Sequence, residues 1–165
     1  MSTIHTTLDQ APKALCELVE SLSGQVRQEL KSRGVRAANE LHTAANYVLR
    51  GQRHGRRYKL PGTYGGRKRR RGVYYTASAP GEPPAVRTGA FRLGWKPQSY
   101  AEDQADGGVS VHSMVENGQR AGRYLLGEML EQGTTRMAPR PYQHQVLDRA
   151  LPRVRKIYKE PYCKD

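Results

Sequence analysis

At 165 residues and 36% apolar content the chain is sized for one domain with a modest core, and 17 glycines with 10 prolines leave room for few regular elements. No apolar run approaches the roughly 18 residues that cross a bilayer, and the N-terminus lacks the basic-then-apolar pattern of a secretion signal, so no membrane partner is expected and the chain should stay in the cytoplasm of the cell that makes it. The net charge of +13 is concentrated, because residues 50–71 hold ten basic side chains and no acidic one, which fits a local contact rather than general solubility.

Residues 12–49 read as one long helix. Leu15, Leu18 or Val19, Leu22, Val26, Leu30, Ala37, Leu41, Ala44 or Ala45 and Val48 recur at steps of three or four and make a single apolar stripe. Asp9 is placed to cap it, with Pro12 in the first turn. Gly24 and Gly34 each weaken the helix by about 1 kcal/mol, and a bend is expected near Gly34. Such a helix extends roughly 55 Å, more than a domain of this size needs, so part of its stripe should belong to a neighbouring subunit.

Gly55–Leu60 and Gly72–Ser78 are rich in tyrosine and β-branched residues and flank Pro61-Gly62 and Gly65-Gly66, a pattern that predicts a β-hairpin. A flexible linker is the competing reading. The hairpin tip is expected to carry Arg67, Lys68, Arg69, Arg70 and Arg71. With Arg53, Arg56, Arg57 and Lys59 these form the candidate contact to a polyanion or an acidic partner. Arginine suits bidentate pairing with phosphate or carboxylate. No base-reading motif accompanies the run, so any DNA contact should be to the backbone.

Ala79–Pro84 is an extended connector, since its prolines remove donors. Thr88 then caps a short helix through Phe91 and Leu93, with Trp95 beyond. Asp106-Gly107-Gly108 is a turn, and residues 109–113 alternate as a strand. Tyr124–Leu130 is apolar enough to be buried as a short helix or strand, ended by Gly133. Pro141 opens a last helix over 141–158, in which Tyr142, Val146, Leu147, Ala150, Leu151, Val154 and Ile157 form a second stripe. Pro152 predicts a kink or an earlier end.

Catalytic chemistry finds no foothold. Gly62 to Gly72 is not a phosphate-binding P-loop, because no Gly-Lys-Ser/Thr closes it. No Gly-x-Ser-x-Gly occurs. Glu102, Asp103 and Asp106 beside turn glycines read as a solvated loop before a metal site. Cys16 and Cys163 lie near opposite ends with no Cys-x-x-Cys, and the five histidines are scattered, so no metal and no cofactor is expected.

The stretch Ala77–Arg92 (ASAPGEPPAVRTGAFR) closely resembles a block of phage tail-completion and head–tail joining proteins. Thr88, Gly89, Phe91 and Arg92 carry its end. The same family shows a tyrosine, a Glu-x-Gly-Thr and an Arg-Pro-aromatic in that order, here Tyr124, then Glu131, Gly133 and Thr134, then Arg140, Pro141 and Tyr142. Order and spacing match over residues 77–158. Two departures stand out: Arg87 occupies a place where many relatives have Asp, and the basic segment lengthens the link from the first helix.

The resemblance implies an α+β fold of one domain: the long helix 12–49, the basic hairpin 50–79 and the tail-completion block 80–165. It implies a structural, non-enzymatic virion subunit assembled in the host cytoplasm, with six or twelve copies in a ring at the neck. Adjacent head-connector and tail proteins and the packaged DNA backbone would be its partners. The motif residues read as fold determinants: Gly133 takes a positive φ, Thr134 bonds the turn, and Arg140 pairs Glu131 or Glu128. The rival readings are a minor tail or tail-terminator subunit, and a ribosomal-type protein whose basic extension threads into RNA.

Overall fold

The computed structural model describes residues 11–59, 63–64, 67–68, 74–105 and 107–162, with side chains from Leu15 onward except in the short strands at 63–64 and 67–68. The architecture is α+β. Helix α1 spans Ala11–Arg50 and is the spine. A basic hairpin follows, with β1 (Arg57–Lys59) paired antiparallel to β4 (Tyr74–Thr76), and β2 (Thr63–Tyr64) to β3 (Arg67–Lys68) between them. Helix α2 (Ala90–Leu93) leads into an antiparallel ribbon of β5 (Lys96–Asp103) and β6 (Val109–Glu116). The short pair β7 (Arg120–Ala121) and β8 (Tyr124–Leu125) precedes α3 (Leu126–Gln132) and α4 (Gln143–Lys159).

The core lies where the C-terminal half of α1 meets α4. The helices run antiparallel, since Arg153 of α4 pairs Glu40 of α1 while Arg149 lies 3.3 Å over the ring of Tyr47. Small residues sit in the shared core: Ala44, Ala45 and Ala150 are buried in one cluster with Leu49, Tyr142 and Val146. Alanines let the two backbones approach closely and cost no side-chain entropy. One end is filled by an aromatic triad. Phe91, Trp95 and Tyr142 meet edge to face with ring centres 5.6–5.8 Å apart.

The ribbon β5–β6 covers another side of α1, and Gly34 makes that possible. A Cβ there would run into Ser99 Oγ and Val111 Cγ1, and the Ser113 hydroxyl donates to the Gly34 carbonyl at 2.9 Å. The glycine read as a bend therefore serves as the point of closest approach between helix and sheet. Residues 96–103 are a strand, not the solvated loop expected around Glu102 and Asp103. Asp103 pairs Arg27 of α1 at 2.8 Å, and His112 stacks on Tyr100 across the ribbon.

Other expectations shift by a few residues. Pro141 lies two residues ahead of α4 instead of at its first position, and α4 continues past Pro152 to Lys159. Tyr124–Leu130 divides between β8 and α3 and is only half-buried, with Tyr124 exposed. The cap expected at Asp9 lies outside the described residues, as does Cys163.

Half of the α1 stripe has no cover within the described residues. From Ala37 onward the stripe is buried or half-buried, whereas Leu15, Leu18, Val19 and Leu22 are 43–63% exposed. The N-terminal part of α1 projects beyond the core.

Candidate functional site

The basic hairpin is the first candidate. Arg57 faces Thr76, Tyr58 faces Tyr75 and Lys59 faces Tyr74 across β1 and β4. The Tyr58 and Tyr75 rings stack with centres 5.6 Å apart. Three arginines lie over these rings: Arg57 on Tyr74 at 4.6 Å, Arg56 on Tyr58 at 5.5 Å and Arg87 on Tyr75 at 5.9 Å. Guanidinium groups held on aromatic faces keep their donors free at the edges, where phosphate or carboxylate oxygens can be met. Arg56, Arg57 and Lys59 are all exposed.

The remaining basic residues divide. Tyr64 of β2 pairs with Arg67 of β3, so Arg67 and Lys68 belong to the returning strand instead of the tip, where Gly65 and Gly66 stand in sequence. Arg69, Arg70 and Arg71 lie outside the described residues. Arg53 is engaged internally. Its guanidinium donates to the carbonyls of Val48 at 2.8 Å, Gln52 at 2.9 Å and Pro84 at 3.3 Å, closing the C-terminal end of α1 onto the connector. Burial lowers its pKa from the usual arginine value.

A carboxylate fixes the hairpin base. Glu82 accepts from the backbone N–H of Ala79 at 2.9 Å and of His54 at 3.1 Å, and lies 2.7 Å from His54 Nδ1. The two backbone donors and the His54 ring hold its carboxyl at about 2, below its ordinary 4.5. A folded-state value below the unfolded one means that this strap is complete above about pH 4.5, and its contribution is lost as pH falls through about 2. Glu82→Gln should therefore shift the urea midpoint at pH 6, and the difference from wild type should vanish near pH 2. A difference of constant size from pH 6 to 2 would refute this.

The segment 88–92 and Arg140 line one cleft, and Glu131 lies at the start of α4. The cleft measures about 420 Å³ and lies between the hairpin base, α2 and α3. Thr88 Oγ1 accepts from Ala90 N–H at 3.2 Å at the start of α2. Gly89, Phe91, Arg92 and Arg140 line the cleft. Gly133 has φ of 79° and ends α3, and Thr134 Oγ1 accepts from Arg136 N–H at 3.3 Å. Tyr124 stays outside, its hydroxyl meeting Arg123 at 2.6 Å. The expected Arg140–Glu131 pair does not form. Arg140 donates to the Ser78 carbonyl at 3.1 Å, and Glu131 instead accepts from the N–H groups of Tyr142 at 3.0 Å and Gln143 at 3.3 Å. An acidic acceptor at the N-terminal end of α4 satisfies donors that Pro141 could not.

A second clamp escaped the sequence reading. Arg33 is buried in α1, yet its guanidinium donates to the carbonyls of Glu160 and Pro161, both at 2.6 Å, and to Glu29 at 3.0 Å. Tyr162 packs on it at 3.8 Å. One turn on, Arg36 forks onto both carboxylate oxygens of Glu160 at 2.8 and 3.0 Å.

Among the described residues no group of three or more His, Cys, Asp or Glu is placed to hold a metal ion, and no helix is long and apolar enough to cross a membrane. No family model, no curated protein and no solved structure matches the chain.

Proposed function

We propose that the chain is a non-catalytic structural subunit of a tailed-phage or prophage particle, one of a ring of copies where the tail meets the head. The observation that carries the reading is the convergence of the tail-completion-like residues. Thr88, Gly89, Phe91 and Arg92 form one short segment, Arg140 joins them from 48 residues further on to line one cleft, and Glu131 holds the helix that closes the core beside it. The uncovered half of the α1 stripe supports assembly with other copies.

Within such a particle the hairpin is the polyanion contact, reaching DNA in the channel or an acidic face of the adjacent ring. Replacing Arg67, Lys68, Arg69, Arg70 and Arg71 with Ser should leave far-UV circular dichroism unchanged and block particle assembly or DNA retention. If all five meet phosphate, wild-type affinity for duplex DNA should fall with salt at a log–log slope about 4 to 5 units steeper than that of the variant. Failed assembly without salt-sensitive DNA binding would identify a protein partner. Normal infectious particles from the variant would sink the contact.

The Arg–Tyr interleaving of the hairpin favours one other reading, a ribosomal-type RNA-binding protein. A tagged copy separates the two. Incorporation at the junction of particles supports the neck role, whereas co-purification with RNA in fixed ratio, abolished by nuclease, replaces it.

A further inference from the structure

Strands β1 and β4 pair only with each other among the described residues, and this two-stranded ribbon carries cations on both of its faces. Paired residues of an antiparallel ribbon share a face, and neighbours along a strand alternate. Tyr58 and Tyr75 therefore occupy one face, and Arg57, Lys59 and Tyr74 the other. On the first face Arg56 lies over Tyr58 and Arg87 over Tyr75, and on the second Arg57 lies over Tyr74. All four cations are exposed. No acidic residue between Arg50 and Arg71 neutralises either face.

A flat acidic protein surface meets one face of such a ribbon and leaves the cations of the other in water. A groove with anionic walls meets both. A ribbon with side chains on both faces is about 10 Å thick, the spacing at which sheets stack. The major groove of B-form DNA is about 12 Å wide with a phosphate strand along each wall, whereas the minor groove, at about 6 Å, is too narrow. The major groove of duplex RNA is too narrow as well. Unpaired bases fit the tyrosines poorly, because each ring already carries a guanidinium, and Tyr58 and Tyr75 stack on each other. We infer that the ribbon enters the major groove of duplex DNA, with Arg56 and Arg87 on the phosphates of one strand and Arg57 and Lys59 on those of the other. The tyrosines are then spacers that hold guanidinium groups toward the two walls. This rests on the polyanion contact proposed above and decides between its two partners in favour of DNA.

Fluorescence anisotropy of the full chain with a short labelled duplex of mixed sequence tests the two faces separately. Arg56→Gln with Arg87→Gln strips one face, and Arg57→Gln with Lys59→Gln strips the other. Each pair should flatten the log–log dependence of affinity on salt by about 2 units, and the four together by about twice as much. Far-UV circular dichroism should stay at wild type throughout. A second measurement needs no variant. Wild type should bind a duplex containing glucosylated hydroxymethylcytosine, whose sugars fill the major groove, several-fold more weakly than the plain duplex. It should also bind a single strand of the same length more weakly. A salt slope changed by only one of the two pairs, or full affinity for the glucosylated duplex, would overturn groove entry and leave the polyanion contact standing. Tighter binding to the single strand would replace it with base stacking. A wild type without salt-sensitive DNA binding would overturn it too, and particle assembly by the five-residue Ser variant then decides whether the hairpin meets protein.

Discussion

Arg33→Ala should cost about 3–5 kcal/mol, the loss seen when one partner of a buried charge-assisted network is removed. The side chain is 1% exposed and supplies donors to the carbonyls of Glu160 and Pro161, just past the last turn of α4. Removing it strands these acceptors and leaves a void beside Tyr162. In a chain of this length the melting temperature should fall by about 10 °C. Arg33→Lys keeps the charge without the planar fork and should recover only part of the loss. Arg36→Ala is the internal control. Its pair with Glu160 is exposed and screened by solvent, so its loss should be small. Urea unfolding followed by far-UV circular dichroism measures all three. An Arg33→Ala loss no larger than that of Arg36→Ala would show that the clamp has no structural weight.

Tyr142→Ala should be comparably severe, about 3–5 kcal/mol, as for other large aromatics cut from a core. Tyr142 is 2% exposed and touches Phe91 and Trp95 from one side while helices α1 and α4 close the other. Burial pushes its phenol up to about 12, so it stays neutral in the folded chain. A raised value means that its contribution is intact below pH 10 and is lost as pH rises through about 12. Tyr142→Phe keeps the ring contacts and should cost less than about 1.5 kcal/mol. The chain has a single tryptophan, so Trp95 fluorescence reports on the triad directly. It should shift to longer wavelength in Tyr142→Ala and hold in Tyr142→Phe. An unshifted emission maximum in the alanine variant would mean that the triad does not organise this end of the core.

Both long helices and the strand at 109–113 were legible because each carries an apolar face with a clean period. Strand β5 was not, and the reason is Gly34. The helix comes so close that the β5 face turned to it carries Ser99 and Ala101, small residues that leave no apolar alternation. The α1–α4 clamp was invisible for a different reason. An arginine on a helix reads as a solvated charge, and the carbonyls it meets lie more than 120 residues away in sequence. At the candidate site, composition located the basic hairpin, and the motif residues divide between the cleft and the ends of α3 and α4. Neither could tell that Arg53 is committed to backbone carbonyls or that Glu131 caps a helix, because a charge reveals its partner only in three dimensions.

The position of the clamp also governs when the protein can fold. Arg33 is made early, but its acceptors at Tyr158, Glu160 and Pro161 leave the ribosome 125–128 residues later. Until then the alanine face of α1 has no α4 to meet, and contacts this distant are slow to form. The helix pair therefore closes after synthesis has passed Pro161. During translation, a helix with its whole apolar stripe open is the state that chaperones and proteases encounter.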